Sequence, residues 1–98
     1  MQTTDLIARI KALQHRLEAE GVDHVALFGS RARGDNGPAS DVDLLLEVDS
    51  GRPFSLLDLI GVEHLVEEAT GISANALMRR SLSQDFGASI GKDIVEIF

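Results

Sequence analysis

Two aspartates separated by one valine open an otherwise apolar run, Asp41-Val42-Asp43-Leu44-Leu45-Leu46-Glu47-Val48. In an extended strand, residues two apart point to the same side, so Asp41 and Asp43 project together with Cα atoms about 6–7 Å apart. Two carboxylates on one face repel, and each is costly to strip of water. A divalent cation relieves both penalties, and Mg2+ favours carboxylate oxygens. Taken alone, an Asp-x-Asp is more often a charged strand end after a turn. Upstream, the apolar run Val25-Ala26-Leu27-Phe28 ends at Gly29-Ser30. If the chain turns helically there, backbone N–H groups and a hydroxyl face whatever lies above the strand, which suits a phosphate. Gly29 lets a phosphate approach the backbone, where a Cβ would intrude. Gly-Ser after a strand is also an ordinary turn. The two features gain weight together. If the strands are neighbours, the loop between them returns the aspartates beside the phosphate turn. Metals held there about 3.5–4 Å apart could stabilise the attacking and leaving oxygens of nucleotidyl transfer.

Two competing motifs fail. Gly29 and Gly34 have the spacing of a Walker A loop, but Asp35-Asn36 follow where Lys-Ser/Thr is required. Asp41-Val42-Asp43 lacks the glycine and terminal glutamate of an EF-hand loop.

The elements that must position these residues are readable from periodicity. Leu6, Ile7, Ile10, Leu13 and Leu17 recur on one helical face, with Thr3 or Thr4 as cap and Gly21 as stop. Strands are expected over 25–28 and 41–48, joined by a Gly/Asp/Asn/Pro/Ser loop over 29–40. A second helix spans 56–69, with a Ser55/Asp58 capping box and a Phe54/Leu59 staple, and ends at Gly71. A third strand falls over 72–77. A short helix opening at 81–84 places Leu82, Phe86 and Ile90 on one face, and a last strand closes the chain over 94–98. This order predicts an α+β fold: a small mixed sheet of about four strands flanked by helices.

The chain has 98 residues, 16 acidic against 9 basic, and no cysteine, which gives a net charge of −7. One domain over 1–98 is expected. Without cysteine there are no disulfides, zinc–thiolate sites or thiol catalysis. No apolar run approaches the ~20 residues of a membrane helix. The N-terminus, with Asp5 and no apolar block, does not read as a signal peptide, so a cytoplasmic location is expected. The acidic balance argues against direct nucleic-acid binding but not against a nucleotide carried with a metal.

Gly29-Ser30, ten intervening residues, then Asp41-Val42-Asp43 resembles the G-S-x10-D-x-D signature of the minimal nucleotidyltransferases (MNT). These are small members of the DNA polymerase β-like superfamily. The strings at 28–34 and 40–45, and Arg79-Arg80-Ser81-Leu82, also look like that family, so the resemblance covers most of the chain. It implies the polymerase β-like fold and the binding of ATP, or another nucleoside triphosphate, with Mg2+. Gly29 and Ser30 would hold triphosphate oxygens; Asp41 and Asp43 would hold the metals. The implied reaction transfers a nucleoside monophosphate, commonly AMP, to a hydroxyl, with pyrophosphate leaving. Many such proteins are antitoxins beside a HEPN-domain ribonuclease, and some act by adding AMP to a tyrosine of that toxin.

One position departs from the pattern. The superfamily usually supplies a third carboxylate from the next strand, and anchoring on 79–82 places Asn75 there. An amide coordinates metal weakly through oxygen but cannot act as a base. Asn75 is therefore a catalytic candidate with Asp41 and Asp43, and a weakened enzyme that neutralises its toxin by binding is the alternative. Glu47, about 13 Å from Asp43 by strand rise, does not substitute. Arg33 is a candidate phosphate ligand; Arg31 reads as a solvated or ion-paired loop charge, and Arg79 and Arg80 as a solvated pair. His15, His24 and His64 show no metal-ligand spacing. The second helix carries more apolar residues than one face needs, which leaves core packing, a partner surface or a homo-oligomer open. A small-molecule nucleotidyltransferase is a third reading, but it normally needs a further domain.

Overall fold

A computed structural model describes all residues, 1–98. Its centre is a four-stranded mixed sheet: β1 (Val22–Phe28), β2 (Val42–Val48), β3 (Ala74–Met78) and β4 (Val95–Glu96), in the spatial order β3-β2-β1-β4. β1 pairs antiparallel with β2 and with β4, whereas β2 and β3 run parallel. A parallel pair needs a crossover, and α4 (Leu56–Thr70) provides it.

Strand alternation divides the sheet into two unlike faces. Val25, Leu27, Val42, Leu44, Leu46, Ala74 and Ala76 point into the main core. There they meet Leu6 and Ile10 of α1 (Thr3–Lys11), Leu17 of α2 (Gln14–Ala19), and Val62 and Val66 of α4. The opposite face carries a smaller cluster, Ala26, Phe28 and Leu45. It is covered by Leu82 and by Ile90 and Ile94 at and after α5 (Gln84–Ile90), and Phe86 stands edge-on to Phe28 with ring centroids 6.5 Å apart. Helices thus crowd one face and leave part of the other for chemistry.

The capping box of α4 forms as expected: the Ser55 hydroxyl accepts from the Asp58 N–H and the Asp58 carboxylate accepts from the Ser55 N–H. Gly71, at φ +73, terminates that helix. The first helix differs from expectation. It breaks at Ala12–Leu13 and restarts at Gln14, so both pieces can lie against the sheet. Neither threonine caps it; Gln2 takes the flanking position, and the Thr3 hydroxyl instead donates to the Arg31 carbonyl at 2.6 Å. β1 starts earlier than its apolar run, at Val22, because Asp23 and His24 are exposed within it. The last strand shrinks to Val95–Glu96.

Candidate active site

Chain reversal after β1 builds the first half of the site. Gly29 sits at φ +77, ψ −159, and Ser30–Arg33 then form the single helical turn α3, closed by Gly34 at φ +81. The Ala32 and Arg33 N–H groups both bond to the Gly29 carbonyl, which fixes the turn. Gly29 is required twice over. Its dihedrals disfavour other residues, and a Cβ there would come 2.5 Å from Asp43 Oδ2. The phosphate-type turn and the β2 carboxylate are therefore in close approach.

The second half comes from β2 and β3. Phe28 pairs with Asp43 across the antiparallel ladder, and Asp43 pairs with Asn75 across the parallel one. One rung thus runs from the Gly29 turn through Asp43 to Asn75. Asp41 lies just before β2 and is exposed; the Asn75 Nδ2 donates to its Oδ2 at 3.0 Å. Burial pushes the Asp43 carboxyl above the ordinary carboxylate range. The Asn75 amide opposes that shift, the Asp41 charge adds to it, and the Arg33 charge opposes it.

The donor set fits a cation shared with a ligand. No cluster of three or more His, Cys, Asp or Glu side chains surrounds the rung. Mg2+ commonly takes one or two carboxylates and completes its shell with water and substrate phosphates. Asp41 and Asp43 can supply the carboxylates, and the turn at Gly29 and Ser30 adjoins them. Asn75 can contribute its amide oxygen only by turning its donor nitrogen away from Asp41.

The arginines sort differently from the sequence reading. Arg31 is not a solvated loop charge: it is 4% exposed, and its Nε donates to the Ser40 carbonyl at 2.9 Å. It ties the turn after Gly29 to the residue before Asp41. Arg33 is exposed near the rung, but its guanidinium binds Asp35 at 3.0 Å and Asp93 at 3.4 Å. Arg79 is not part of a solvated pair either; it lies 3.1 Å from Glu47 and 3.1 Å from Glu96, joining β2 to β4, while Arg80 is exposed. The largest depression, about 420 Å3, is lined by Asp23, His24, Glu47, Arg79 and Arg80, at the other end of the strands from Asp43. None of the three histidines joins a metal-binding cluster.

Two residues escaped the sequence reading. Glu67 Oε2 accepts the Ala74 N–H at 2.9 Å, and Glu63 Oε2 accepts the Ala76 N–H at 2.7 Å. The available signal was two acids four residues apart on the helix that precedes an edge strand.

Residues 9–97 match the family model described as a nucleotidyltransferase domain. Protein adenylyltransferase MntA of Thermococcus cleftensis is 33% identical over 92 residues, which is 94% of this chain and 88% of that protein. A solved structure described as a candidate minimal nucleotidyltransferase superposes with a TM-score of 0.81 at 28% identity, covering 97% of this chain and 95% of the other. A chain from the complex of a tri-AMPylated HEPN toxin with an MNT antitoxin, from Shewanella oneidensis, shares the fold with a TM-score of 0.66 at 12% identity. That match covers 94% of this chain and 71% of the other. The chain belongs to the nucleotidyltransferase domain family and is a transferase of the minimal nucleotidyltransferase type.

Proposed function

We propose that this single domain is a cytoplasmic antitoxin that transfers AMP from ATP, with Mg2+, to a hydroxyl on a HEPN-type toxin. The observation that carries the reading is the rung of Asp43 and Asn75, with Asp41 beside it, against the Gly29 turn. The adenylyltransferase name of the Thermococcus relative and the AMPylated toxin in the Shewanella complex support the choice of group and acceptor. In the proposed step the acceptor oxygen bonds to the α-phosphorus, the bond from that phosphorus to the bridging oxygen breaks, and pyrophosphate leaves. Bound Mg2+ supplies neutralisation of charge on the phosphate oxygens. Asp41 and Asp43 hold it. Gly29 and Ser30 bind and orient the triphosphate tail, with Arg33 available once it leaves Asp35 and Asp93. Of the rung residues only the two carboxylates can accept the hydroxyl proton, because an amide cannot.

The test incubates the protein with labelled ATP, Mg2+ and the HEPN protein encoded beside it. Label should appear on the partner and vanish with Asp41→Ala or Asp43→Ala. An unlabelled partner in the presence of the parent protein sinks the enzymatic reading.

One observation favours a second reading. Asn75 stands beside both carboxylates, where the family resemblance implies a third, and it donates to Asp41 instead of adding charge. On that reading the protein binds nucleotide, turns over slowly and neutralises its toxin by occlusion. Asn75→Asp separates the two: a gain in labelling rate supports the weakened enzyme, and no gain shows that the two carboxylates suffice.

A further inference from the structure

β3 is an edge strand, with a neighbour only on the β2 side. The N–H groups of such a strand that face outward normally meet water or another chain. Here two of them do not. Ala74 and Ala76 present their N–H groups to Glu67 and Glu63, at 2.9 and 2.7 Å. The two glutamates lie one helical turn apart on α4, on the side turned to β3. Their spacing along the helix, about 6 Å, is close to the two-residue rise of a strand, about 6.6 Å, so one helix face can serve two successive outward N–H groups. Glu67 also accepts from the Ser73 hydroxyl, at 3.3 Å.

Asn75 lies between the two clamped residues. Its neighbours on either side are alanines, whose small side chains let the helix come close; both are buried. On the inner side, Asn75 pairs with Asp43, and its amide reaches Asp41. The lateral position of β3, and with it the reach of the Asn75 amide, is thus set from both sides: by the ladder to β2 and by two charge-assisted bonds from α4.

We infer that Glu63 and Glu67 are positioning residues that clamp the outer edge of β3 and so hold the Asn75 amide on the carboxylate pair. They touch neither ligand nor reacting atoms and act through Asn75. The inference rests on the proposed function only for its catalytic consequence; the positioning itself is measurable without turnover.

Asn36 and Asn75 are the only asparagines in the chain, so asparagine-selective 15N labelling yields two side-chain amide signals. In the parent protein the Asn75 Nδ2 hydrogen bonded to Asp41 should exchange more slowly than its unbonded partner hydrogen and than the Asn36 amide, whose one bond is longer. Glu63→Ala and Glu67→Ala should each speed Asn75 exchange by about tenfold, the equivalent of one lost bond of roughly 1.4 kcal/mol, and leave Asn36 unchanged. Glu63→Gln and Glu67→Gln, which keep an oxygen acceptor, should restore most of the protection. Should an alanine variant not fold, the glutamine pair and the remaining single variant carry the comparison. Transfer rate gives the second readout: each alanine variant should slow it in the parent but have no further effect in an Asn75→Ala background. Unchanged Asn75 exchange in folded alanine variants, with the Ala74 or Ala76 amide deprotected, overturns the inference. So does an equal loss of rate with and without Asn75. If no variant, nor the parent, transfers AMP while the exchange pattern holds, the proposed function fails and the clamp stands.

Discussion

Replacing Gly29 by alanine separates two contributions that coincide at this residue. The first is backbone strain. At φ +77, ψ −159 the residue occupies a region that is essentially reserved for glycine, and holding alanine there costs of order 1–3 kcal/mol. For a domain of this size each kcal/mol shifts Tm by ~4–8 °C, so a fall of about 5–20 °C is expected. The second is contact. The new Cβ would stand 2.5 Å from Asp43 Oδ2, nearer than such atoms approach. That oxygen is the far end of a side chain and can swing away at little cost to folding. Swinging away removes Asp43 from the rung, so the damage falls on ligand binding. Thermal melts of Gly29→Ala, Asp43→Ala and the double variant, with calorimetric titration of Mg2+ and a non-hydrolysable ATP analogue, distinguish the two. The melting penalty of Gly29→Ala should persist in the Asp43→Ala background, whereas the part of its affinity penalty that acts through Asp43 should disappear there, leaving only the intrusion of the Cβ on the phosphate. A Gly29→Ala protein that melts with the parent refutes the strain argument. One that keeps the parent's affinity refutes the close-approach argument.

Three further outcomes follow from the same geometry. Arg31→Ala should cost about 1.5–3 kcal/mol in urea unfolding, because it removes a buried charge-assisted bond to the Ser40 carbonyl, and Arg31→Lys should not restore it, since lysine has no Nε on that vector. Ser55→Ala should cost ~1 kcal/mol by the same measurement through loss of the α4 capping box. Burial raises the Asp43 carboxyl pKa, so the folded chain binds that proton more tightly than the unfolded one. The associated stability is full below the ordinary carboxylate range and is lost as pH rises through the raised value. Asp43→Asn should therefore raise Tm at neutral pH, flatten that part of the pH–stability profile, and abolish nucleotide transfer.

Much of this arrangement was legible before any coordinates. The Gly-Ser turn, the alternation of Asp41 and Asp43 and the capping box are local patterns, and local patterns fix local geometry. The mixed sheet followed from the order of the elements. What the sequence concealed depends on long-range contact. Thr3 reads as a helix cap, yet its hydroxyl is drawn to a carbonyl 28 positions away. Arg31 looks like a loop charge because burial by the surrounding fold leaves no mark on a Gly/Asp/Ser-rich string. Arg79 reads as a solvated charge until β4 brings Glu96 beside it. Glu63 and Glu67 look like solvated helix positions until β3 is seen to lie at the sheet edge. The candidate rung was half visible: both aspartates share a segment, whereas Asn75 reaches them only through the α4 crossover.

That crossover has a consequence for folding fidelity. A hairpin sets strand register by its turn, but β3 arrives by way of a fifteen-residue helix and has no such gauge. Its sequence supplies one. Ala74 and Ala76 face the main core, and Asn75 and Leu77 face away. A slip by one residue would drive the Asn75 amide among Val42, Leu44 and Val66, with no partner for its polar atoms, and would force Leu77 into space shaped for a methyl group. A slip by two would align Ser73 or Leu77 with Asp43. Only the observed alignment both keeps the methyls in the core and sets the Asn75 amide opposite Asp43, so the residue that completes the rung also acts as the ruler by which the strand finds its place.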